Sequence, residues 1–343
     1  MRSLITDELN GSAKTIASID WKMIEKISDM LADTIKRGNK VIFMGNGGSS
    51  ADAQHIAAEF TGRYLMERDP MPAISLSNIA PVTAIGNDYS FDMVFRRQTE
   101  AYAVKGDAVV CISTSGNSKN VIEAMNAAKK KGATVITFTG PGGVMKDMAD
   151  LALVIPSKET PRIQEGYMAA GHIICGLTER SVFGKKAVFI DRDDTIAKDV
   201  PYCARADDLK LFKGVPEAIA KLNKAGYLVI MITNQSGIAR GKFTEKDLEA
   251  IHAKMIAEIE KGGGRIDDIF YCPHHPDDKC GCRKPEAGMG IAAVTKYRIN
   301  TKASFMIGNS DHDMEFGNAI GCTSFKVTDK RSFADIVNEI LGL

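Results

Sequence analysis

Val41-Ile42-Phe43-Met44 is a short apolar run that empties into Gly45-Asn46-Gly47-Gly48-Ser49-Ser50. A buried strand followed by a turn dense in glycine and serine is how a parallel sheet passes its chain to a crossover helix. Such a turn leaves backbone N–H groups and hydroxyls facing an anion at the helix start. The pattern returns at Ala108 to Ile112, which ends in Ser113-Thr114-Ser115-Gly116-Asn117-Ser118. Helical spacing surrounds these runs: Ile24, Ile27, Leu31 and Ile35 before the first, stopped by Gly38, and Val121, Ile122, Met125 and Ala128 after the second, stopped by Gly132. Thr134 to Thr139 and Leu151 to Ile155 read as further strands on either side of Gly140-Pro141-Gly142-Gly143, and a helical segment covers about Ile163 to Arg180. Strand, loop, helix and strand in series predict a parallel sheet covered by helices.

The pattern restarts at Gly184-Lys185-Lys186. Ala187 to Ile190 is a buried-strand run ending in Asp191-Arg192-Asp193-Asp194-Thr195. A helix is expected around Pro216 to Lys224, then a strand from Tyr227 to Ile232 that ends in Thr233-Asn234. Strands are expected at Ile266 to Tyr271, Ser304 to Ile307 and Ser324 to Val327, and Thr244 with Asp247 forms a helix N-cap pair. The expected fold class is therefore α/β, in two domains, residues 1–183 and 184–343, each a parallel sheet flanked by helices.

Composition agrees. A chain of 343 residues, 44% apolar, can fill two cores. Forty-four Lys and Arg against 43 Asp and Glu leave a net charge of +1, which offers no broad footprint for nucleic acid. No apolar run approaches the ~20 residues that span a bilayer, and the first residues lack the apolar core of a signal peptide. Three of the 7 cysteines crowd into residues 272–282 beside two histidines, a metal-binding rather than a disulfide pattern. A soluble cytoplasmic enzyme is expected.

Four groups of residues carry chemistry. In the first domain the hydroxyls of Ser113, Thr114, Ser115 and Ser118 are too dense for an ordinary turn and suit a phosphate. The first loop lacks the last glycine of the dinucleotide fingerprint, which weighs against NAD. His55 and Glu59, at i and i+4, share one helix face. Gln164 and His172 would lie about 12 Å apart along a helix, so one shared site needs either a helix start near Gln164 or a second subunit. In the second domain Asp191 and Asp193 end a strand as paired carboxylates, which repel unless a cation or proton sits between them. Cys272-x-His274-x5-Cys280-x-Cys282 supplies three thiolates and an imidazole, a closed four-coordinate structural zinc set, with His275 left out.

Gly45 to Ser49, His55, Glu59, Thr61-Gly62-Arg63-Tyr64, Gly86-Asn87-Asp88, Ser113 to Ser118 and Arg162-Ile163-Gln164-Glu165 together resemble the sedoheptulose 7-phosphate isomerases of the sugar-isomerase (SIS) fold, a flavodoxin-like architecture. The resemblance covers about residues 1–183. It implies aldose–ketose isomerisation to D-glycero-D-manno-heptose 7-phosphate, with Glu59 as base and His172 as acid. It also implies phosphate held by Ser113, Thr114, Ser115 and Ser118, and Asn46, Ser49, Asn87 and Asp88 lining the sugar. His55, Glu59, Gln164 and His172 match positions that hold zinc in some members, and the family forms tetramers with sites between subunits.

Asp191 with Asp193, Thr233-Asn234, Arg283-Lys284-Pro285 and Asn309-Ser310-Asp311-His312-Asp313 resemble the four motifs of the haloacid dehalogenase (HAD) phosphatases, a Rossmann-like fold. Thr233 to Gly241 and Tyr271 to Pro276 narrow this to the heptose 1,7-bisphosphate 7-phosphatases, with the histidinol-phosphate phosphatases as near relatives. The resemblance implies Asp191 as nucleophile and Asp193 as general acid, then base. Thr233 and Lys284 would hold the phosphoryl group and Arg283 a second phosphate or sugar hydroxyls. Mg²⁺ would sit on Asp191, the Asp193 carbonyl and the loop at Asn309. Two residues depart from the pattern: Asp194 stands where glycine is usual, and Asn309 where an aspartate is usual, with Asp311 or Asp313 available to compensate. The whole reads as a bifunctional enzyme of activated-heptose synthesis acting on heptose phosphates, homotetrameric through its first domain, with a heptose kinase as a partner. A second reading keeps the isomerase beside a degenerate or regulatory phosphatase domain, and a third makes the chain a non-catalytic sugar-phosphate sensor.

Overall fold

Every residue of Val41–Gly45 is buried, as expected for a central strand of a parallel sheet covered on both faces. The computed structural model describes all 343 residues and divides into two units, Met1–Phe183 and Gly184–Leu343. In the first, helices α1 (Arg2–Ala17) and α2 (Trp21–Lys36) precede β1 (Val41–Gly45). There follow α3 (Gly48–Thr61), β2 (Ala73–Ser75), α4 (Ile79–Asp88), α5 (Val94–Tyr102), β3 (Ala108–Ser113), α6 (Lys119–Lys130), β4 (Thr134–Thr139), α7 (Met145–Met148), β5 (Leu151–Val154) and α8 (Thr160–Phe183). All neighbours pair in parallel in the order β2-β1-β3-β4-β5. Alternation along β1 divides the core. Val41 and Phe43 pack with Ile27, Leu31, Phe60 and Tyr167 on one face, and Ile42 and Met44 with Val121 and Met125 on the other. α2 enters through Asp20, whose carboxylate accepts from the Lys22 amide.

The order reverses direction between β1 and β3, and that is where an open α/β sheet leaves a crevice at its carboxyl edge. The two Gly/Ser loops flank it. The first must begin with glycine, since a Cβ on Gly45 would stand 2.7 Å from the Ser49 carbonyl oxygen. In the second, Gly116 takes φ +66° against the Gly142 carbonyl, a conformation that favours glycine.

The second unit has β6 (Ala187–Ile190), α9 (Val215–Lys224), β7 (Leu228–Asn234), α10 (Glu245–Lys261), β8 (Asp268–Cys272), α11 (Gly288–Tyr297), β9 (Phe305–Gly308), α12 (Asp311–Ala319), β10 (Thr323–Lys326) and α13 (Phe333–Leu341). Its parallel sheet runs β10-β9-β6-β7-β8, reversing direction between β6 and β9. Val188 and Ile190 face Ile219, Ile251 and Ile336, and Ala187 and Phe189 face Met289 and Phe316. The Thr244–Asp247 pair closes a full capping box on α10. Two α/β units with parallel sheets and flanking helices are thus present. No helix is long and apolar enough to cross a membrane. Helices α1 and α4 and the three-residue β2 carry no strong periodicity, and α5, whose buried face is Val94, Phe95, Gln98 and Thr99, is a further element beyond the sequence expectation. β8 starts at Asp268, two residues later than its apolar run suggests, because Asp267 spends its carboxylate on the Val229 amide.

Candidate functional sites

In the first unit α3 and α8 bring together residues 117 positions apart: His55 Nε2 lies 2.9 Å from His172 Nε2. Glu59, one turn along α3, places Oε1 3.3 Å from the same His55 nitrogen. The three donor atoms lie within 4.8 Å of one another, a set of two imidazoles and a carboxylate that suits a divalent ion. The Tyr64 ring stacks flat on His172, 5.8 Å between centroids with 2° between planes.

Gln164 does not join this cluster within one chain. Helix α8 starts at Thr160, so Gln164 is helical and a full two turns from His172; its amide instead donates to Asp52 Oδ2 at 2.7 Å. The helix-start alternative is thereby removed. Around it, Ser49 and Tyr167 share a 2.8 Å hydroxyl contact, and burial raises the Asp52 carboxyl above its usual range. Asn46 exchanges two 2.9 Å amide bonds with Asn120 across the crevice between β1 and β3. Ser113 contacts Ser118 at 2.9 Å and Ser115 at 3.3 Å, with Thr114 half-buried beside them. Asn87 and Asp88 stand exposed at the end of α4, bonded to each other. Asp52, Asn120 and Tyr167 escape a sequence reading; for Asp52 a signal existed, three residues before His55 on the same helix face.

In the second unit Asp191, at the end of β6, is 7% exposed. Lys284 Nζ lies 2.6 Å from its Oδ1 and 2.5 Å from Asp313 Oδ1, bridging two carboxylates from inside the protein. Burial pushes the Asp191 carboxyl up to about 6, against the pull of Lys284 and with further repulsion from Asp313. Burial works against the Lys284 charge too, but the two carboxylates outweigh it and raise the ammonium. Asp313, not Asp311, is the acidic residue of the last loop that faces the site: Asp311 points outward to Lys326, whereas Asp313 also accepts from the Ser310 amide and hydroxyl. A cleft of about 180 Å³ is lined by Asp191, Asp193, Asp194, Asn234, Lys284 and Asn309, among others. Its donors are oxygens almost throughout, the chemistry a hard cation requires.

Arg192, 2% exposed, grips Asp193 with a fork at 2.9 and 3.0 Å, and Gln235 adds a third donor at 3.1 Å. Thr233 lies behind the cleft, its hydroxyl accepting from Gln235, and Asn234 ties its side chain to the Lys284 backbone in both directions. Asp194 holds φ +49°, a region where aspartate is among the few tolerated side chains, and its carboxylate accepts from the Asp199 amide. Arg283 opens on an adjoining cavity of about 490 Å³ with Lys279 and His312, and its buried Nη1 has no partner.

Cys272, His274, Cys280 and Cys282 converge at the end of β8. Five of the six edges among their donor atoms measure 3.2–3.5 Å. A tetrahedron with metal–sulfur bonds of ~2.3 Å has edges of roughly 3.8 Å, so the four atoms need move little to accept an ion. His275 turns away and accepts from the Asp277 amide.

Residues 6–140 match the family model of the SIS domain, and residues 186–338 that of polynucleotide kinase 3 phosphatase. The phosphoheptose isomerase of Trichlorobacter lovleyi is 46% identical over 189 residues, 54% of this chain and 96% of the relative. That of Campylobacter concisus is 48% identical over 188 residues, 54% of this chain and all of the relative. Among solved structures, a phosphoheptose isomerase from Neisseria gonorrhoeae is 36% identical, covering 52% of this chain and 98% of its own, with TM-score 0.49. The D,D-heptose 1,7-bisphosphate phosphatase of B. bronchiseptica, complexed with magnesium and phosphate, is 31% identical, covering 46% and 98%, with TM-score 0.44. Fold and site thus define a sugar-phosphate isomerase unit of the SIS class followed by a phosphatase unit of the HAD class that matches the polynucleotide kinase 3 phosphatase model. Through its first unit the chain belongs to the phosphoheptose isomerase family.

Proposed function

We propose that the chain catalyses two separate reactions on heptose phosphates: isomerisation of sedoheptulose 7-phosphate to D-glycero-D-manno-heptose 7-phosphate, and removal of the 7-phosphate from D-glycero-D-manno-heptose 1,7-bisphosphate. The observation that carries this reading is that each unit holds a compact reactive cluster, His55, Glu59 and His172 in the first and Asp191 with Lys284 in the second, in a sheet whose carboxyl edge carries the Gly/Ser loops or the Asp191 cleft.

In the isomerase Glu59 takes a proton from C1 of the ketose and returns it to C2 of the enediol, while His172 moves a proton between O1 and O2. The Ser113–Ser118 hydroxyls anchor the phosphate and so fix which carbons face Glu59. A zinc ion on His55, Glu59 and His172 would polarise the carbonyl. Gln164 from a neighbouring subunit of a homotetramer completes that set, since within one chain it is held by Asp52.

In the phosphatase an Asp191 oxygen attacks phosphorus as the sugar oxygen leaves with the Asp193 proton. Asp193, again a carboxylate, then takes a proton from the water that hydrolyses the acyl phosphate. To donate, Asp193 must leave the Arg192 fork. Lys284 steadies the transferring oxygens and Arg283 receives the second phosphate. Mg²⁺ on Asp191, the Asp193 carbonyl and Asn309 would neutralise phosphoryl charge, and Zn²⁺ in the Cys272–Cys282 set would hold the loop that carries Arg283 and Lys284. The 1-phosphate must be added between the two reactions, so a sugar kinase is the expected working partner, in a cytoplasmic setting.

Purified protein incubated with each substrate alone tests the proposal. Glu59→Gln should abolish isomerisation and spare phosphate release, and Asp191→Asn the reverse. Absence of phosphate release at saturating Mg²⁺ from the native chain would instead favour the degenerate-phosphatase reading that Asn309 motivates.

A further inference from the structure

We propose that Arg68 and Glu179 form a buried positioning clamp for the acid–base pair of the isomerase unit, an inference that rests on the assignment of Glu59 and His172 above. The Arg68 side chain is 1% exposed and that of Glu179 is fully buried, and they meet at 3.0 Å. Arg68 gives its other hydrogens to backbone: Nη2 to the Glu59 carbonyl at 2.9 Å, and Nη1 to the carbonyls of Phe60, Gly62 and Asp69 at 2.8, 3.0 and 3.0 Å. A helix end leaves its last carbonyls without intrahelical donors, and a cation there meets the negative end of the helix dipole. Because α3 ends at Thr61, one of the carbonyls that Arg68 takes belongs to the base itself.

Glu179 works on the other partner. Its two oxygens accept the amides of Tyr64 at 3.2 Å and Leu65 at 2.9 Å, and the Tyr64 ring lies flat against His172. Glu179 sits seven residues after His172 on α8, two turns along the same face. One ion pair therefore joins the two helices that carry Glu59 and His172, fixing the main chain of the base and the ring that backs the acid. A buried ion pair contributes little net stability, because desolvation offsets its attraction; what it supplies here is geometry. A lysine at position 68 would keep the charge but lose the fork that reaches several carbonyls at once.

The test uses the full-length chain with Arg68→Lys and Glu179→Gln, measuring kcat and KM for sedoheptulose 7-phosphate beside the melting temperature. The clamp predicts a fall in kcat of roughly 10- to 100-fold. KM should stay within about twofold, because the Ser113–Ser118 loop is held by β3 and α6 and not by the clamp. Unchanged kcat in both variants, even with lowered melting temperature, would overturn it and leave only a structural pair. Should Glu179→Gln fail to fold, Arg68→Lys decides alone. Glu59→Gln run alongside separates the two claims. An inactive Glu59→Gln with fully active clamp variants sinks the clamp only, whereas an active Glu59→Gln sinks the assignment of the base and the clamp with it.

Discussion

Lys284→Met removes the one cation between two buried carboxylates, and the structure sets the size of the effect. At 2.6 and 2.5 Å, with an effective dielectric of ~20, each contact is worth about 6 kcal/mol before desolvation is counted. Burying the ammonium returns much of that, and loss of one partner from a buried pair costs about 3–5 kcal/mol net. The lower end applies here. Asp313 keeps its Ser310 donors, and Asp191, left with only the Thr195 hydroxyl at 3.3 Å, can take up a proton. About 3 kcal/mol in a unit of this size lowers the melting temperature by roughly 6–12 °C. Scanning calorimetry of the full chain at pH 8 without added Mg²⁺ should show that shift in one transition and leave the other in place. The sign of this contribution with pH is fixed: a carboxyl raised in the folded state binds protons more readily there than in the unfolded chain, so the Asp191 contribution to stability grows on acidification. The effect is larger in the variant, so its deficit should shrink from pH 8 to pH 5. A shift below about 2 °C, or a deficit that grows on acidification, would refute the reasoning.

Three further outcomes are expected. Asn309→Asp adds a carboxylate to an oxygen-lined cleft and should raise Mg²⁺ affinity about tenfold by titration calorimetry; unchanged affinity would remove residue 309 from the metal's surroundings. Cys282→Ala should lose one tightly bound zinc per chain by elemental analysis and, with it, phosphate release, while isomerisation persists, because the set is closed only with four ligands. Buried His252 is held neutral, its pKa lowered to about 4 by burial and then by the Arg192 charge, against a smaller opposing pull from Asp193, with Tyr271 packed at its ring. The unfolded chain binds the proton below about 6.5, so stability is full above that pH and falls by up to about 1.4 kcal/mol per unit down to about 4. His252→Gln should flatten that stretch of the unfolding profile.

The strands that matter were legible because burial on both faces writes continuous apolar runs, as at Val41 to Met44 and Ala187 to Ile190, and because the loops after them announce themselves in glycine, serine or aspartate. Cys272-x-His274-x5-Cys280-x-Cys282 was legible for a like reason: its four side chains fall within eleven residues of one turn-rich segment. Local rules, whose reach is a few residues, could carry no more than that. That His55 meets His172, that Asp313 and not Asp311 turns to Lys284, that Gln164 spends its amide on Asp52, and that Arg68 ends α3 against Glu179 all depend on where distant helices come to rest. Strand order and the packing of two faces per sheet decide those placements, and side chains then take whichever buried partner leaves the fewest polar atoms unsatisfied. The sequence alone determined the chemistry available; only the tertiary structure decided which groups share a site.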